Sequence, residues 1–210
     1  MPDTTATILN ILQVFETGGF NRFGTIARAK GDRGGLSCGI LQASIASGAL
    51  GTLLRSYIDN GGQFIHPGYA DIAEARDESR MDANFDAQFK AAAADPVMQQ
   101  TQIDFFSQNY IQPAADWCAR KGLTQPLTLA IVADSMVHGA FRTVKDLVGK
   151  QASEEAWAEA YVNARREWLA SSDNELLRRT VYRPDTFIAL IQAGNWSLES
   201  PVFARGVQVA

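Results

Sequence analysis

The first regular pattern of apolar residues along the chain predicts a helix over residues 4–17. Hydrophobic side chains recur there at helical spacing, at Ile8, Ile11, Leu12 and Phe15. This spacing places them on one face of a helix. Asp3 or Thr4 can cap its first turn, and the pair Gly18-Gly19 is typical of a helix stop. We therefore expect an amphipathic helix that ends at a turn.

The residues after this helix predict loops and a small β-hairpin, and most of the remaining chain predicts helices. Residues 18–39 carry seven glycines among short apolar pieces, which favours turns over helix. Helical spacing recurs in the segments 40–59, 84–94, 97–121, 126–138, 153–170 and 184–193. The charged stretch 59–83 is typical of a long surface connection between two lobes. The pattern predicts a mainly α fold of the α+β type.

Composition narrows the classes of protein to which the chain can belong. At 210 residues, with 46% hydrophobic and 20% charged residues, it is expected to form one globular domain over residues 1–210. No apolar run approaches the roughly 20 residues of a membrane-spanning helix. With a net charge of −4, the chain lacks the excess of basic residues that binds nucleic acids and anionic membranes. We expect no nucleic-acid partner and no membrane span.

The cysteines and the possible metal ligands do not narrow the function or the cellular location further. Cys38 and Cys118 fit neither a metal cluster nor a disulfide framework, so a bridged pair and two free thiols both stay open. No metal-ligand set is visible, and the sequence predicts no cofactor. The amino terminus lacks the basic and apolar regions of a secretory signal. The chain is therefore expected to stay inside the cell, to leave by another route, or to have been trimmed.

Two acidic residues occupy settings that favour opposite protonation states. Glu16 lies in the last turn of the predicted helix, where partial burial and the negative end of the helix dipole favour the protonated carboxyl. Asp32 lies among glycines beside Arg33, which favours the ionised form. Such a pair is typical of glycosidases. Spacing alone leaves open that Glu16 is a surface residue and that Asp32 is a turn former.

A longer motif around these two residues resembles the family 46 chitosanases. It comprises Phe15-Glu16-Thr17-Gly18 and the run GDRGGLSCGILQ at residues 31–42. The resemblance implies that Glu16 is the general acid, that Asp32 is the base, and that Ser37 helps to hold the attacking water. It also implies a lysozyme-like fold, with two helical lobes, a small β-hairpin region and the active-site cleft between the lobes.

The end of this motif, Gly39 to Gln42, is also similar to a segment of goose-type lysozymes and lytic transglycosylases. This similarity implies a substrate contact for Gln42. Tyr110 matches a position where chitosanases keep an aromatic residue near the catalytic pair, which implies stacking on a sugar ring. Core packing of Tyr110 is the alternative.

Later segments extend the resemblance to a charge network. Asp134, followed four positions later by His138-Gly139, resembles a chitosanase helix, and Arg165 resembles an inward arginine of the same family. The resemblance implies a network of Glu16, Asp134 and Arg165, which Arg183 extends. Asp134 lies in an apolar helix, where burial without a partner would be costly. A core ion pair without catalytic meaning is the alternative, and His138 is either a substrate donor or a helix cap.

One position departs from the family pattern. The best-known chitosanases carry an acidic residue after the catalytic loop, where it meets the amino group of a glucosamine unit, and the matching residue here is Ala49. A neutral or acetylated polymer, such as the glycan of peptidoglycan, therefore competes with chitosan as the polysaccharide substrate.

The expected function is an endo-acting, inverting hydrolase of β-1,4 bonds in an amino-sugar polymer. The alternatives are a peptidoglycan-cleaving muramidase and a non-catalytic domain that binds a glycan or a protein partner. Such substrates imply a chain that is secreted or acts at the cell envelope, and a cytoplasmic one if it is neither trimmed nor exported.

Overall fold

Helices make up most of the chain in the computed structural model, which describes residues 4–28, 35–139 and 141–210. Among these residues the α-helices are α1 (Thr4–Thr17), α2 (Ala49–Asp59), α3 (Pro67–Glu74), α4 (Ala83–Ala92), α5 (Pro96–Phe106), α6 (Gln112–Lys121), α7 (Pro126–His138), α8 (Phe141–Lys145), α9 (Glu154–Ala170), α10 (Glu175–Arg178) and α11 (Tyr182–Gln192). The strands are β1 (Ile26–Arg28), β2 (Leu36–Cys38), β3 (Ala43–Ser44), β4 (Phe203–Ala204) and β5 (Val207–Gln208). Asp32 lies outside the described residues.

These elements belong to two units. The terminal unit comprises Met1–Phe15 and Gln108–Ala210, and the middle unit comprises Glu16–Ser107. The stretch 59–83 lies wholly inside the middle unit, so the prediction that it connects two lobes is wrong. The prediction of a single two-lobed domain over residues 1–210 stays a prediction.

The stretch 59–83 also contains a helix, α3, that the sequence analysis missed. Pro67 stands in its first turn, where the absence of an N–H costs nothing. The Nδ1 atom of His66 caps the helix by accepting a hydrogen bond of 3.1 Å from the Gly68 N–H. The apolar face of α3 buries Tyr69, Ala70 and Ala73, whereas the charged residues of the helix, Asp71 and Glu74, are exposed.

The middle unit is built around a small antiparallel sheet with strand order β1-β2-β3. The predicted hairpin region is therefore confirmed in the described residues, with Ile26 opposite Cys38 and Cys38 opposite Ala43. Behind the sheet lies an apolar core from β2, α2, α3, α4 and α5, whose fully buried members include Leu36, Leu50, Leu54, Phe85 and Phe89.

The terminal unit is organised around α7. Almost every side chain from Leu127 to Ser135 is buried, as expected for a helix that is apolar on all sides. The helix packs against α6, α8, α9 and α11. Pro126 begins it, and Gly139, with a φ of 87°, ends it in the left-handed conformation that favours glycine. Asp134 is consequently held in the interior of this unit.

Two predicted helices differ from the structure. The segment 40–59 becomes helical only at Ala49, because the left-handed backbone at Gly39, Gln42 and Gly48 interrupts any helix before that point. The segment 97–121 is divided by a π-helical turn at Ser107–Ile111. That turn precedes Pro113, which cannot donate a backbone hydrogen bond to the turn before it.

Candidate functional site

Glu16 lies in the last turn of α1, as predicted, and is half-buried. The carbonyl of the preceding Phe15 accepts a hydrogen bond of 2.9 Å from the Tyr182 hydroxyl. The carbonyl of the following Thr17 accepts one of 2.7 Å from Nη1 of Arg22. Gly18, with a φ of 73°, then turns the chain out of the helix. The backbone on either side of Glu16 is therefore fastened, which restricts where its carboxyl can lie.

Ser37 lies in the central strand of the three-stranded sheet, opposite Ala27 and Ser44, and is 8% exposed. Its predicted partner Asp32 lies outside the described residues. Gly35, just before the strand, has a φ of 61°, and a Cβ there would lie 2.3 Å from Oε2 of Glu78. The left-handed backbone at position 35 favours glycine, and a larger residue would also displace the Glu78 carboxylate.

Arg28, which the sequence analysis missed, fixes the end of β1, on the other side of residues 29–34. Its guanidinium donates two hydrogen bonds of 2.7 Å to the carboxylate of Asp86. A third hydrogen bond of 3.1 Å goes to the carbonyl of Met81. A forked guanidinium–carboxylate pair fixes orientation as well as distance. The end of β1 is thus anchored to α4.

Gln102 is a second positioning residue that the sequence analysis missed. Its side chain is fully buried on α5. Its Oε1 atom accepts a hydrogen bond of 2.9 Å from the Ile40 N–H, and its Nε2 atom donates one of 3.0 Å to the Phe23 carbonyl. The available signal was a polar residue on the buried face of a helix, since buried amides are nearly always hydrogen-bonded. Gln102 ties α5 to the segment before β1 and to the turn between β2 and β3.

The remaining predicted substrate contacts occupy half-buried positions in different units. Gln42, in the middle unit, donates from Nε2 to the Gly39 carbonyl at 2.9 Å, so its amide also fastens its own turn. Tyr110, in the terminal unit, lies in the π-helical turn. Their contacts with a substrate stay predictions.

A buried charge network lies in the terminal unit. Asp134 is fully buried and is bound on both oxygens, by Nη1 of Arg165 at 2.5 Å and by Nη1 of Arg183 at 2.8 Å. Both arginines are almost fully buried as well, at 0% and 3% exposure. Burial alone would raise the pKa of Asp134, but the two guanidiniums outweigh it and hold the pKa below its usual value. The predicted meeting of Asp134, Arg165 and Arg183 is found, while a link to Glu16 stays a prediction.

The network also contacts the end of the first helix. The guanidinium carbon of Arg183 lies 5.4 Å from the centre of the Phe15 ring, within the range of a cation–π contact. Phe15 packs edge-on against Phe187 at 5.7 Å. The residue immediately before Glu16 is therefore held by a buried charge as well as by apolar packing.

His138 lies at the end of α7, one helical turn after Asp134. Burial, and then the positive charges of Arg183 and Arg165, lower its pKa to about 4 in spite of the nearby Asp134 carboxylate. The imidazole is therefore neutral at neutral pH. A neutral imidazole can donate or accept a hydrogen bond but adds no positive charge to a network that already holds two guanidiniums.

The lowered pKa of His138 predicts a loss of stability in mild acid. An unfolded histidine has a pKa near 6.5, so on acidification the unfolded chain binds the proton first. The stabilising contribution is fully present above about pH 6.5 and is lost as the pH falls from about 6.5 to about 4. We expect the free energy of unfolding, measured in urea, to fall more steeply over this range in the wild type than in His138→Asn. An equally steep fall in the two proteins would contradict the lowered pKa of His138.

Comparison with models of known protein families matches residues 10–202 to the model of Glycosyl hydrolase family 46. The chain belongs to glycosyl hydrolase family 46. Membership of family 46 confirms the resemblance drawn from the motifs and makes the chain a glycoside hydrolase. Comparison with curated proteins finds no match.

Solved structures similar to this family 46 chain include two chitosanases. The family 46 chitosanase of Gynuella sunshinyii, in complex with chitotetraose, is 20% identical with a TM-score of 0.82, over 99% of this chain and 97% of that one. A mutant chitosanase from Bacillus subtilis MY002, in complex with 6 GlcN, is 18% identical with a TM-score of 0.83, over 100% and 97% of the two chains. At these identities the likeness shows the fold, and it confirms the predicted mainly α, lysozyme-like class.

Other properties of this family 46 chain follow from the described residues alone. None of their clusters of His, Cys, Asp and Glu has the three or more members needed to hold a metal ion. No helix among them is long and apolar enough to cross a membrane. Cys38 and Cys118 are free thiols, and burial raises the pKa of each, which makes them poor nucleophiles.

Proposed function

We propose that the chain is an endo-acting hydrolase that cleaves β-1,4 bonds in chitosan with inversion at the anomeric carbon. The observation that carries the proposal is a half-buried glutamate, Glu16, at the fastened end of α1 in a family 46 glycoside hydrolase. The substrate class is taken from the two similar chitosanases, whose structures contain chitotetraose and 6 GlcN.

Glu16 is the general acid of this mechanism. A glycosidic oxygen is a poor leaving group until it is protonated, so the acid has to be held within hydrogen-bond reach of it. The bonds to the carbonyls of Phe15 and Thr17 support this role, because they limit the movement of the helix end that carries the carboxyl. The buried network of Asp134, Arg165 and Arg183 supports the same end through the Phe15 ring.

Asp32 is the general base, and Ser37 is a hydrogen-bond partner of the attacking water. Inversion needs a water molecule between the base and the sugar, so the two carboxyls stand about 6.5–9.5 Å apart rather than the roughly 5–5.5 Å of a retaining pair. The hydrogen bonds of Arg28 support this role, because they fix the end of β1 that precedes the segment with Asp32.

A muramidase that acts on peptidoglycan is the second candidate, and one observation favours it. The family resemblance places at Ala49 an acidic residue that would meet a glucosamine amino group, and a guanidinium lies near this position instead. Nη2 of Arg76 lies 3.4 Å from the position that a Cβ on Gly48 would occupy. A guanidinium there repels a protonated amino sugar and tolerates an acetylated one.

A three-substrate digestion separates the candidates. We expect the wild type to cleave a glucosamine hexamer at internal bonds, with oligomers of two to four units as the first products by mass spectrometry. Digestion of purified cell-wall sacculi or of an N-acetylglucosamine hexamer, with the glucosamine hexamer left intact, would replace the proposal with the muramidase. No cleavage of any of the three would indicate a non-catalytic domain.

The same substrate class supports a place of action outside the cytoplasm. Polymers such as chitosan and peptidoglycan do not cross a membrane, so an endo-acting enzyme has to meet them outside. We therefore propose that the chain is secreted or acts at the cell envelope.

A further inference from the structure

A cavity in the terminal unit is lined by none of the residues assigned above to the proposed reaction. Its walls are the carboxyl end of α6, the segment that follows α8, and the first turn of α9. The cavity, which we call the tryptophan cavity, has a volume of about 660 Å³ and includes Trp117, Lys121, Lys145, Lys150 and Trp157 in its lining. Small-ligand sites span roughly 300–1,000 Å³. There is room for a short oligosaccharide.

Two tryptophans that line the tryptophan cavity pack against buried aromatic residues. The rings of Trp117 and Trp157 are half-buried, with centres 5.3 Å apart. Trp117 packs edge-on against Phe141 at 4.9 Å, and Trp157 stacks on Tyr161 at 5.1 Å. Both supporting residues are buried, at 6% and 0% exposure. Rings that are already ordered lose little freedom when a ligand arrives, and amphipathic aromatic rings suit the mixed apolar and polar faces of a sugar.

The charges around the tryptophan cavity are mainly positive. Lys145 forms an ion pair with Asp146. The carboxylate of Glu154 accepts hydrogen bonds of 2.8 Å from the N–H groups of Thr124 and Gln125, which orient it and leave its negative charge in place. In the part of the chain that the structure describes, Lys121 and Lys150 make no ion pair. The lining holds three lysines and two carboxylates, so the cavity carries a net charge of +1 in a chain of net charge −4.

We propose that the tryptophan cavity is a second saccharide site that binds a pyranose carrying an anionic group. The indole rings of Trp117 and Trp157 contact the sugar ring, and Lys121 and Lys150 bind its carboxylate, sulfate or phosphate. Lysine ammonium groups serve as point charges for such anions. The site binds without cleaving, because the residues assigned to hydrolysis lie elsewhere in the sequence.

The charge pattern distinguishes this ligand from the substrate of the proposed reaction. A glucosamine chain is cationic below the pKa of its amino groups, so Lys121 and Lys150 repel it. A neutral oligosaccharide keeps the contacts with the indole rings but gains nothing from the two ammonium groups. An acidic polysaccharide gains from both, and its affinity falls as salt screens the charges.

Titrations followed by NMR of the indole N–H groups test the proposal on the full chain. The probes are trigalacturonate, cellotriose and a glucosamine trimer, and Trp168 and Trp196 serve as internal reference signals. We expect trigalacturonate to shift the Trp117 and Trp157 signals at low salt, with a dissociation constant about tenfold lower than that of cellotriose. Absence of these shifts, or equal affinity for trigalacturonate and cellotriose, would overturn the proposal.

A charge-removing variant provides the second arm of the test. We expect the double variant Lys121→Gln/Lys150→Gln to bind trigalacturonate about fivefold more weakly, while Lys90→Gln, at an exposed position on α4, binds it as the wild type does. Unchanged affinity in the double variant would overturn the proposal. Both variants are expected to cleave the glucosamine hexamer normally, so failure of the second site and failure of the proposed reaction are told apart.

Discussion

Replacement of Glu16 by glutamine is expected to lower kcat on a glucosamine hexamer by about 10³-fold or more. Removal of a general acid costs roughly 10²–10⁴-fold, and the glycosidic oxygen has no other proton donor in the proposed mechanism. The chain should fold normally, because glutamine has nearly the same shape as glutamate and position 16 is only half-buried. A reducing-end assay measures the rate, and thermal unfolding checks the fold.

A matched control separates this effect from a general loss of negative charge. Glu167 is exposed on α9, and Glu167→Gln removes the same charge without touching the end of α1. We expect it to retain the wild-type kcat. If Glu16→Gln kept more than about a tenth of the wild-type kcat, Glu16 would not be the general acid.

Replacement of Asp134 by alanine is expected to produce the largest loss of stability. It leaves the guanidiniums of Arg165 and Arg183 buried without the carboxylate that now binds both. Breaking a buried ion pair on one side costs about 3–5 kcal/mol, because the remaining charge is uncompensated. Urea denaturation at neutral pH measures the change in the free energy of unfolding.

The exposed ion pair of the same unit provides the comparison. Asp185 binds Nε of Arg166 at 2.6 Å, with side chains 44% and 48% exposed. Asp185→Ala should cost about 1 kcal/mol or less, as is typical of solvent-exposed pairs. A loss of stability in Asp134→Ala no larger than that of Asp185→Ala would contradict the assignment of a buried network.

Much of the helical fold was predictable because its helices carry local signals. Pro126 and Gly139 mark both ends of α7, and its apolar run predicted burial. The glycines of residues 18–39 predicted the hairpin region, since few other residues adopt the backbone that its turns require. The meeting of Asp134 with Arg165 and Arg183 was implied by the resemblance to the family 46 chitosanases, and the high cost of an unpaired buried charge supported it.

Other features depend on contacts between distant parts of the chain. The segment 40–48 has helical spacing, but it contributes the strand β3 to the sheet. Its Ile40 N–H donates a hydrogen bond to the side chain of Gln102, 62 residues later in the sequence. The helix α3 was missed because its charged residues suggested a solvated loop, whereas Asp71 and Glu74 bind the guanidinium of Arg55 on α2. Pairings of this kind are set by tertiary structure and leave little trace in local spacing.

The candidate site also has a part that the sequence predicted and a part that depends on tertiary contacts. The motif with Glu16 predicted the acid and its position at a helix end, and the structure adds the hydrogen bonds that fasten this end. Arg28 and Gln102, which anchor the sheet, carry no motif of their own. The substrate stays the least predictable part, because the expectation of chitosan or of an acetylated polymer depends on a single departure from the family pattern, at Ala49.

The anomeric configuration of the first product tests the central claim most directly. Proton NMR can follow the wild type while it cleaves a glucosamine hexamer, before the products mutarotate. The account predicts that the bond is cleaved and that the α-anomer accumulates first, because water activated by Asp32 attacks the β-linked carbon from the face opposite to the oxygen protonated by Glu16. First accumulation of the β-anomer, or an intact hexamer, would contradict it.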